Sequence, residues 1–68
     1  MTVNNRIKYF REKKGITQNN MALDLKVSRQ TIIAIENKKY NPSLELTLKI
    51  TFYLNVSINE LFWLEEEF

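Results

Sequence analysis

The segment from residue 17 to residue 37 constrains the fold of this 68-residue chain more than any other stretch. Thr17 and Ser28 each stand just before a run with helical apolar spacing, which is where a helix N-cap belongs. The apolar positions of the two runs are Met21, Ala22 and Leu25, followed by Ile32 and Ile35. Only residues 26–28 separate the runs, so the sequence predicts two short amphipathic helices joined by a tight turn.

Length and composition predict one small domain that is stabilised by packing alone, or by packing together with oligomerisation. The sequence contains no cysteine and no histidine, which excludes disulfides and the usual thiolate or imidazole metal sites. The longest apolar stretch is interrupted by Glu45 and Lys49, so no membrane span is expected. Residues 1–10 have no secretory apolar core, which makes the cytoplasm the expected compartment.

Charge is distributed unevenly along the chain. Residues 1–40 carry nine Lys or Arg against three Asp or Glu, whereas residues 41–68 carry one against five. A basic front and an acidic back suit a protein that presents one face to a polyanion, although solvated charges can also cluster by chance. The second helix opens with the polar set Ser-Arg-Gln-Thr at residues 28–31, which suits base edges and phosphates. Together these features predict a DNA-binding helix-turn-helix unit.

The flanking residues predict three more helices. Asn4 or Asn5 should cap a first helix that ends near Lys14, where Gly15, the only glycine, supplies a left-handed C-cap. The third helix should end near Asn37, because Asn tolerates the left-handed conformation. After Pro42, Ser43 should cap a fourth helix over residues 44–54 that ends at Asn55. Ser57 and Glu60 have the spacing of a capping box for a short fifth helix.

The two chain ends suit strands. Residues 62–64 are aromatic and apolar, and pairing with residues 2–4 would bring the ends together in a two-stranded ribbon. A ribbon of this size is marginal by itself and needs a surface to lie on. The acidic run at residues 65–67 is expected to lie away from DNA.

Four motifs carry a family resemblance: TQ at residues 17–18, VSRQTI at 27–32, IEN at 35–37 and KYNPSLEL at 39–46. Over about residues 5–62 the chain resembles the Cro/C1-type (XRE) helix-turn-helix family, and within it the very short stand-alone repressors, among them a dimeric cytolysin-operon repressor. The resemblance implies a compact, mainly α-helical, five-helix lambda-repressor-like domain with a terminal antiparallel ribbon. It also implies a prokaryotic or phage-encoded, nucleoid-associated protein of the cytoplasm, whose third helix enters the major groove.

The resemblance implies base contacts from Arg29, Gln30 and Ala34, with Ile33 beside them. Arginine can grip guanine through two hydrogen bonds, glutamine can do the same with adenine, and methyl groups suit the thymine methyl. A phosphate contact is the equal alternative for Arg29. A core position is the alternative for Ile33, although it cannot share one buried face with its neighbour Ile32.

Further roles are implied by the same resemblance. Contacts with the DNA backbone are expected from Gln18, Ser28, Thr31, Asn37, Lys38, Lys39, Tyr40 and Asn41. A cap is the alternative for the hydroxyls of Ser28 and Thr31, and a merely solvated loop is the alternative for residues 37–41. Arg11 and Glu36 are expected to form a partly buried ion pair that holds the third helix at its angle. Lys26 and Lys38 replace glycines that are common in the family, so Lys26 must strain its backbone or alter the turn.

One domain of this kind reads few base pairs, so a homodimer on a palindromic operator is expected. Within residues 44–68, the interface candidates are Leu48, Phe52, Leu61, Phe62, Trp63 and Leu64, although Phe62 and Trp63 could instead complete the monomer core. The predicted function is a double-stranded DNA-binding transcriptional regulator that represses by promoter occlusion. The alternative is an antitoxin or another protein-interaction module with secondary DNA binding. No enzymatic activity, cofactor, metal or small-molecule ligand is expected.

Overall fold

The computed structural model describes residues 2–66. In chain order the elements are β1 (Thr2–Asn5), α1 (Ile7–Lys13), α2 (Gln18–Leu25), α3 (Arg29–Glu36), α4 (Leu44–Leu54), α5 (Ile58–Leu61) and β2 (Phe62–Glu65). The predicted architecture, five helices with a two-stranded antiparallel ribbon, is confirmed. Glu67, the end of the predicted acidic run, lies outside the described residues. Each helix in the described part of the chain is too short or too polar to cross a membrane.

Hydroxyl N-caps start four of the five helices. The side chains of Thr17, Ser28, Ser43 and Ser57 each accept a hydrogen bond from the backbone N–H three residues later, and Ser57 and Glu60 complete the capping box. Each cap satisfies a donor that the helix itself leaves unpaired. The expectation for α1 was wrong by one residue, because its N-cap is Arg6 and no side chain caps it. Asn5 Oδ1 accepts instead from the Ile7 N–H, at 3.2 Å.

Four helices end on a residue with positive φ, namely Gly15 (70°), Lys26 (59°), Lys38 (62°) and Asn55 (56°). In each case the next residue donates its N–H to a carbonyl five positions back, in the pairs Ile16–Arg11, Val27–Ala22, Lys39–Ala34 and Val56–Thr51. This is the Schellman arrangement, which satisfies carbonyls at the helix end. Helix α3 ends at the Asn37 C-cap, as predicted, but the left-handed conformation expected of Asn37 was wrong, because its φ is −86° and the left-handed residue is Lys38. A residue with a Cβ in this conformation costs roughly 1–2 kcal/mol.

The core is a single cluster of side chains from every helix. Its buried members are Ile7, Met21, Ala22, Ile32, Ile35, Ile50, Leu54 and Leu61. Leu61 has no exposed surface, which corrects its assignment to a dimer interface. The reason is that α5 turns this side chain inward, where it packs with the other core residues.

The terminal ribbon lies against this helical body. Asn5 pairs with Phe62 and Asn4 with Trp63, and Phe62 packs on the core. The Arg6 N–H donates to the Leu61 carbonyl at 2.9 Å, which ties the start of α1 to the end of α5. Asn5 Nδ2 also donates to the carbonyl of Ile35 at 2.9 Å, so β1 contacts the last turn of α3 directly. The ribbon therefore has the supporting surface that so short a pair of strands needs.

Candidate nucleic-acid interface

Helix α3 has one buried face and one outward face. Ile32 and Ile35 are each only 1% exposed, and they anchor the helix in the core. The opposite face repeats at helical spacing and consists of Gln30, Ile33, Ala34 and Asn37. Gln30 and Asn37 are exposed, whereas Ile33 and Ala34 are half-buried. Ile33 is not a member of the buried cluster, so the outward face combines two amide groups with apolar methyl groups.

The first turn of α3 is organised by Ser28 and Thr31. The Ser28 hydroxyl accepts from the Thr31 N–H at 3.1 Å and shares a second hydrogen bond of 2.9 Å with the Thr31 hydroxyl. Both hydroxyls thus serve first to cap the helix. Arg29 is exposed and forms no ion pair with any residue in the described part of the chain. Its guanidinium is accordingly available for a base or a phosphate.

A nearly buried ion pair holds the far end of α3. Arg11 Nε lies 2.7 Å from Glu36 Oε2, and Nη2 donates to Oε1 at 3.1 Å. The two side chains are 7% and 3% exposed, and a third nitrogen, Nη1, donates to the Ile16 carbonyl at 2.8 Å. The hydrogen bonds to Glu36 raise the pKa of Arg11, although burial opposes this effect. The pair joins α1 to α3, as the resemblance implied, and the hydrogen bond to Ile16 adds the loop that follows α1.

Gln18 extends this network to the start of α2. Its Nε2 donates to Glu36 Oε1 at 3.1 Å, so one carboxylate oxygen joins Gln18 and Arg11. Gln18 also lines a shallow polar depression together with Lys8, Asn19 and Arg29. From the sequence, Lys8 was expected only to be solvated or to face DNA, and Asn19 was given no role. No local pattern could have brought these residues together with Arg29, because α1, α2 and α3 each contribute only part of this surface.

The loop after α3 is exposed. Asn37, Lys38, Lys39, Tyr40 and Asn41 are all exposed, and the two lysines form no ion pair with other described residues. Together with Arg29, these lysines place unpaired positive charge at both ends of α3. Such a distribution favours a polyanion that runs past the helix at both ends.

The predicted interface candidates divide into two groups. Leu48, Phe52 and Leu64 are 53%, 89% and 60% exposed. Phe62 and Trp63 are half-buried, with Phe62 against the core and Trp63 under the Arg6 guanidinium, whose Cζ lies 5.3 Å from the ring centroid. Leu44, which was not among the candidates, is also 72% exposed. Leu44, Leu48 and Phe52 follow one another at four-residue intervals and form an apolar stripe on α4, here called the α4 stripe.

Tyr53 links α4 to α2 through a hydrogen bond beside the α4 stripe. Its hydroxyl donates to Asp24 Oδ2 at 2.6 Å. Burial, followed by the hydrogen bond to Asp24 and its negative charge, raises the pKa of Tyr53 to about 12. The phenol therefore stays protonated further into the alkaline pH range, where its hydroxyl can still donate to Asp24.

Comparison with known proteins agrees with this geometry. The helix-turn-helix family profile matches residues 7–61. The chain is 48% identical over 63 residues to an uncharacterized HTH-type transcriptional regulator of Methanocaldococcus jannaschii, covering 93% of this chain and 96% of the relative. It is 41% identical over 63 residues to the uncharacterized HTH-type transcriptional regulator YgzD of Bacillus subtilis, with the same coverage, 93% and 96%.

A solved structure has the same fold. It is a crystal structure of a candidate DNA-binding protein from Bacteroides fragilis, with a TM-score of 0.82 and 31% sequence identity, covering 91% of this chain and 100% of that one. The family profile spans all five helices, and the similar structure covers almost the whole chain. The chain therefore belongs to the helix-turn-helix family of the Cro/C1 (XRE) type.

Proposed function

We propose that this protein is a sequence-specific, double-stranded DNA-binding transcriptional regulator that acts as a homodimeric repressor. The observation that carries the proposal is the outward face of α3, whose amides Gln30 and Asn37 are exposed at its two ends and which is held in place by the Arg11–Glu36 pair. A helix of this kind fits the major groove. The names of the relatives, HTH-type transcriptional regulators, support the same class of function.

Base reading is assigned to four side chains on or beside the outward face of α3. Gln30 lies at the centre of the outward face, where its amide can form two hydrogen bonds with adenine. Arg29 lies at the edge of that face, so it reaches either guanine or a phosphate. Ile33 and Ala34 offer methyl groups to thymine. These four side chains give the helix both polar and apolar means of discriminating between base pairs.

Backbone contacts are assigned to the residues around this face. They would fix the register of α3 on the duplex without carrying sequence information. The set consists of Gln18, Ser28, Thr31, Asn37, Lys38, Lys39, Tyr40 and Asn41. Gln18 has two roles in this proposal. It contacts a phosphate, and its Nε2 donates to Glu36, which links it to the Arg11–Glu36 pair that holds α3.

Dimerisation is assigned to elements within residues 44–68. Leu48, Phe52 and Leu64 are exposed apolar side chains that a partner subunit could cover, and the half-buried Phe62 and Trp63 could border them. Two subunits would then read two half-sites of a palindromic operator. An operator that overlaps a promoter is enough for repression by occlusion, because the bound dimer excludes other proteins from the same stretch of duplex.

Selection of binding sites from random duplex DNA tests the proposal most directly. The expected result is an inverted repeat whose half-sites are centred about 34 Å, or one helical turn, apart. Binding of the selected duplex should weaken steeply as salt concentration increases, because phosphate contacts release counterions. Failure to enrich any sequence would contradict the proposal, whereas a single unrepeated site would contradict only the dimer.

The α4 stripe supports a second candidate, a protein-interaction module such as an antitoxin with secondary DNA binding. A foreign partner could cover Leu44, Leu48 and Phe52 as well as a second copy could. Sedimentation of the purified protein distinguishes the two candidates. A dimer at micromolar concentration favours the repressor, whereas a species of only 8.2 kDa, together with a partner that co-purifies stoichiometrically, favours the module.

A further inference from the structure

The four left-handed residues at helix ends differ in kind according to where they lie. Gly15 and Asn55, which follow α1 and α4, are the two residue types that adopt positive φ with least strain. The two that border α3 are lysines, Lys26 before it and Lys38 after it. The lysine side chain cannot offset this conformation with a local hydrogen bond as asparagine can, so a glycine at either position would stabilise the fold.

The surroundings of the two lysines are different. Lys26 lines a shallow groove with Asp24, Glu45 and Lys49, so two carboxylates there balance the two ammonium groups. Lys38 stands in the exposed loop of residues 37–41, which contains no acidic residue and continues directly to Lys39. Its N–H donates to the Ile35 carbonyl at 3.0 Å, the same oxygen that Asn5 Nδ2 contacts. The backbone of Lys38 is thus fixed to a carbonyl that β1 also holds at the end of α3.

We propose that Lys38 is a phosphate-binding residue that is kept in a strained left-handed conformation because its charge at the end of α3 is needed for DNA affinity. Strained residues concentrate at functional positions, where the rest of the fold holds them in place. Lys26 shares the strain but not the open basic environment, and it has no such role. This inference rests on the proposed DNA binding. It adds that Lys38 lowers the stability of the fold while raising its affinity for DNA.

Substitution of each lysine by glycine separates the two effects. Lys38→Gly should raise the melting temperature by a few degrees and weaken binding of a random-sequence duplex several-fold. Its plot of log affinity against log salt concentration should be shallower by about 1 unit, corresponding to one lost phosphate contact. Lys26→Gly is the matched control, because it removes the same charge from the same kind of helix end. It should raise the melting temperature similarly and leave affinity within about twofold.

Lys38→Arg completes the set, because it retains both the charge and the strain and should therefore retain DNA affinity. Unchanged affinity and salt dependence in Lys38→Gly would overturn the inference while leaving the proposed function intact. The inference also fails if Lys26→Gly loses as much affinity as Lys38→Gly, or if Lys38→Gly lowers the melting temperature. A native protein that binds no duplex at all would instead refute the proposed function, and the inference with it.

Discussion

Helices α3 and α4 are built alike on the inside and differently on the outside. Each begins at a serine N-cap, and each inserts two fully buried aliphatic side chains into the core, Ile32 and Ile35 in one and Ile50 and Leu54 in the other. The outward face of α3 combines exposed amides with half-buried apolar side chains, whereas that of α4 carries exposed, large apolar side chains. The inner faces therefore determine the fold, and the outer faces suit the two helices to the different roles proposed for them, DNA reading and dimerisation.

The supports of the two helices also differ. The end of α3 is braced by a nearly buried ion pair, Arg11–Glu36, whereas the ion pair on α4, Glu45–Lys49, is highly exposed and its charges are 3.5 Å apart. Exposed pairs contribute little to stability, while breaking a buried pair leaves a charge without compensation. The position of the helix that is proposed to read DNA is thus more tightly specified than the position of the helix that is proposed to dimerise.

The largest effect is expected from Arg11→Ala. Removal of the guanidinium leaves Glu36 charged and only 3% exposed, which should cost roughly 3–5 kcal/mol in free energy of unfolding. Urea denaturation measures this loss. Arg11→Lys, which keeps the positive charge but not the several N–H donors of the guanidinium, should lose less stability. Lys49→Ala is the control and should change stability by less than about 0.5 kcal/mol. If Arg11→Ala kept its melting temperature but lost DNA affinity, Arg11 would contact DNA and would not stabilise the position of α3.

Phe52→Glu tests the outward face of α4. Phe52 is 89% exposed, so the folded monomer should tolerate the change, but burying a charge between subunits should weaken the dimer by at least about 2 kcal/mol. Sedimentation velocity over a concentration series measures the dimer dissociation constant. Leu23→Glu is the matched control, because Leu23 is a 68% exposed apolar residue on α2 that receives the same charge. Equal weakening by both variants would remove α4 from the interface.

Gln30→Ala tests the outward face of α3. The variant should lose roughly 1–3 kcal/mol of discrimination at one base pair in each half-site while keeping its affinity for random DNA. Lys39→Ala should do the opposite and weaken binding to all sequences alike. Titrations of labelled duplexes with matched and mismatched sites distinguish these results. Proportional losses on specific and random DNA in both variants would contradict the division between base-reading and backbone-contacting residues.

The smallest effect is expected at the junction of α2 and α4. Folding raises the pKa of Tyr53 from 10.0 to about 12. In the pH window between these two values, the folded protein keeps a proton that the unfolded chain has lost. Stability should therefore fall as pH rises through this window, and Tyr53→Phe should lack that part of the decline. Urea denaturation at a series of alkaline pH values measures the difference, with Tyr9→Phe as the control. Identical pH profiles for Tyr53→Phe and the native protein would exclude the role of this hydroxyl.

Local patterns predicted most of the fold. The serine and threonine caps at Thr17, Ser28, Ser43 and Ser57 were all identifiable because an N-cap depends on residues only three positions apart. The same holds for the left-handed ends at Gly15 and Asn55. Asn37 and Lys38 show the limit of this reasoning, because intrinsic preference favoured the asparagine but the left-handed residue comes one position later. At this end of α3, the carbonyl of Ile35 accepts hydrogen bonds from Asn5 Nδ2 and from the Lys38 N–H.

The site was predictable only in part. Helical spacing identified the outward face of α3, and the family resemblance paired Arg11 with Glu36, which are 25 positions apart. Neither could show that Lys8 and Asn19 meet Arg29 at one depression, because three helices form it. Nor could composition separate Leu61 from Leu64, since both are leucines in the same short terminal region. Only their positions relative to the core make one buried and the other exposed.

By itself, the sequence determined the number and order of the helices, the N-caps of four of them, the outward residues of α3 and the family. These properties depend on short-range geometry and periodicity, which are contained in the order of the residues. The tertiary structure decided which apolar side chains are buried in the core, which remain exposed on the α4 stripe, and which lysine lies in an exposed basic loop. These outcomes depend on how the helices pack in three dimensions, because burial and electrostatic potential arise from residues distant in the chain.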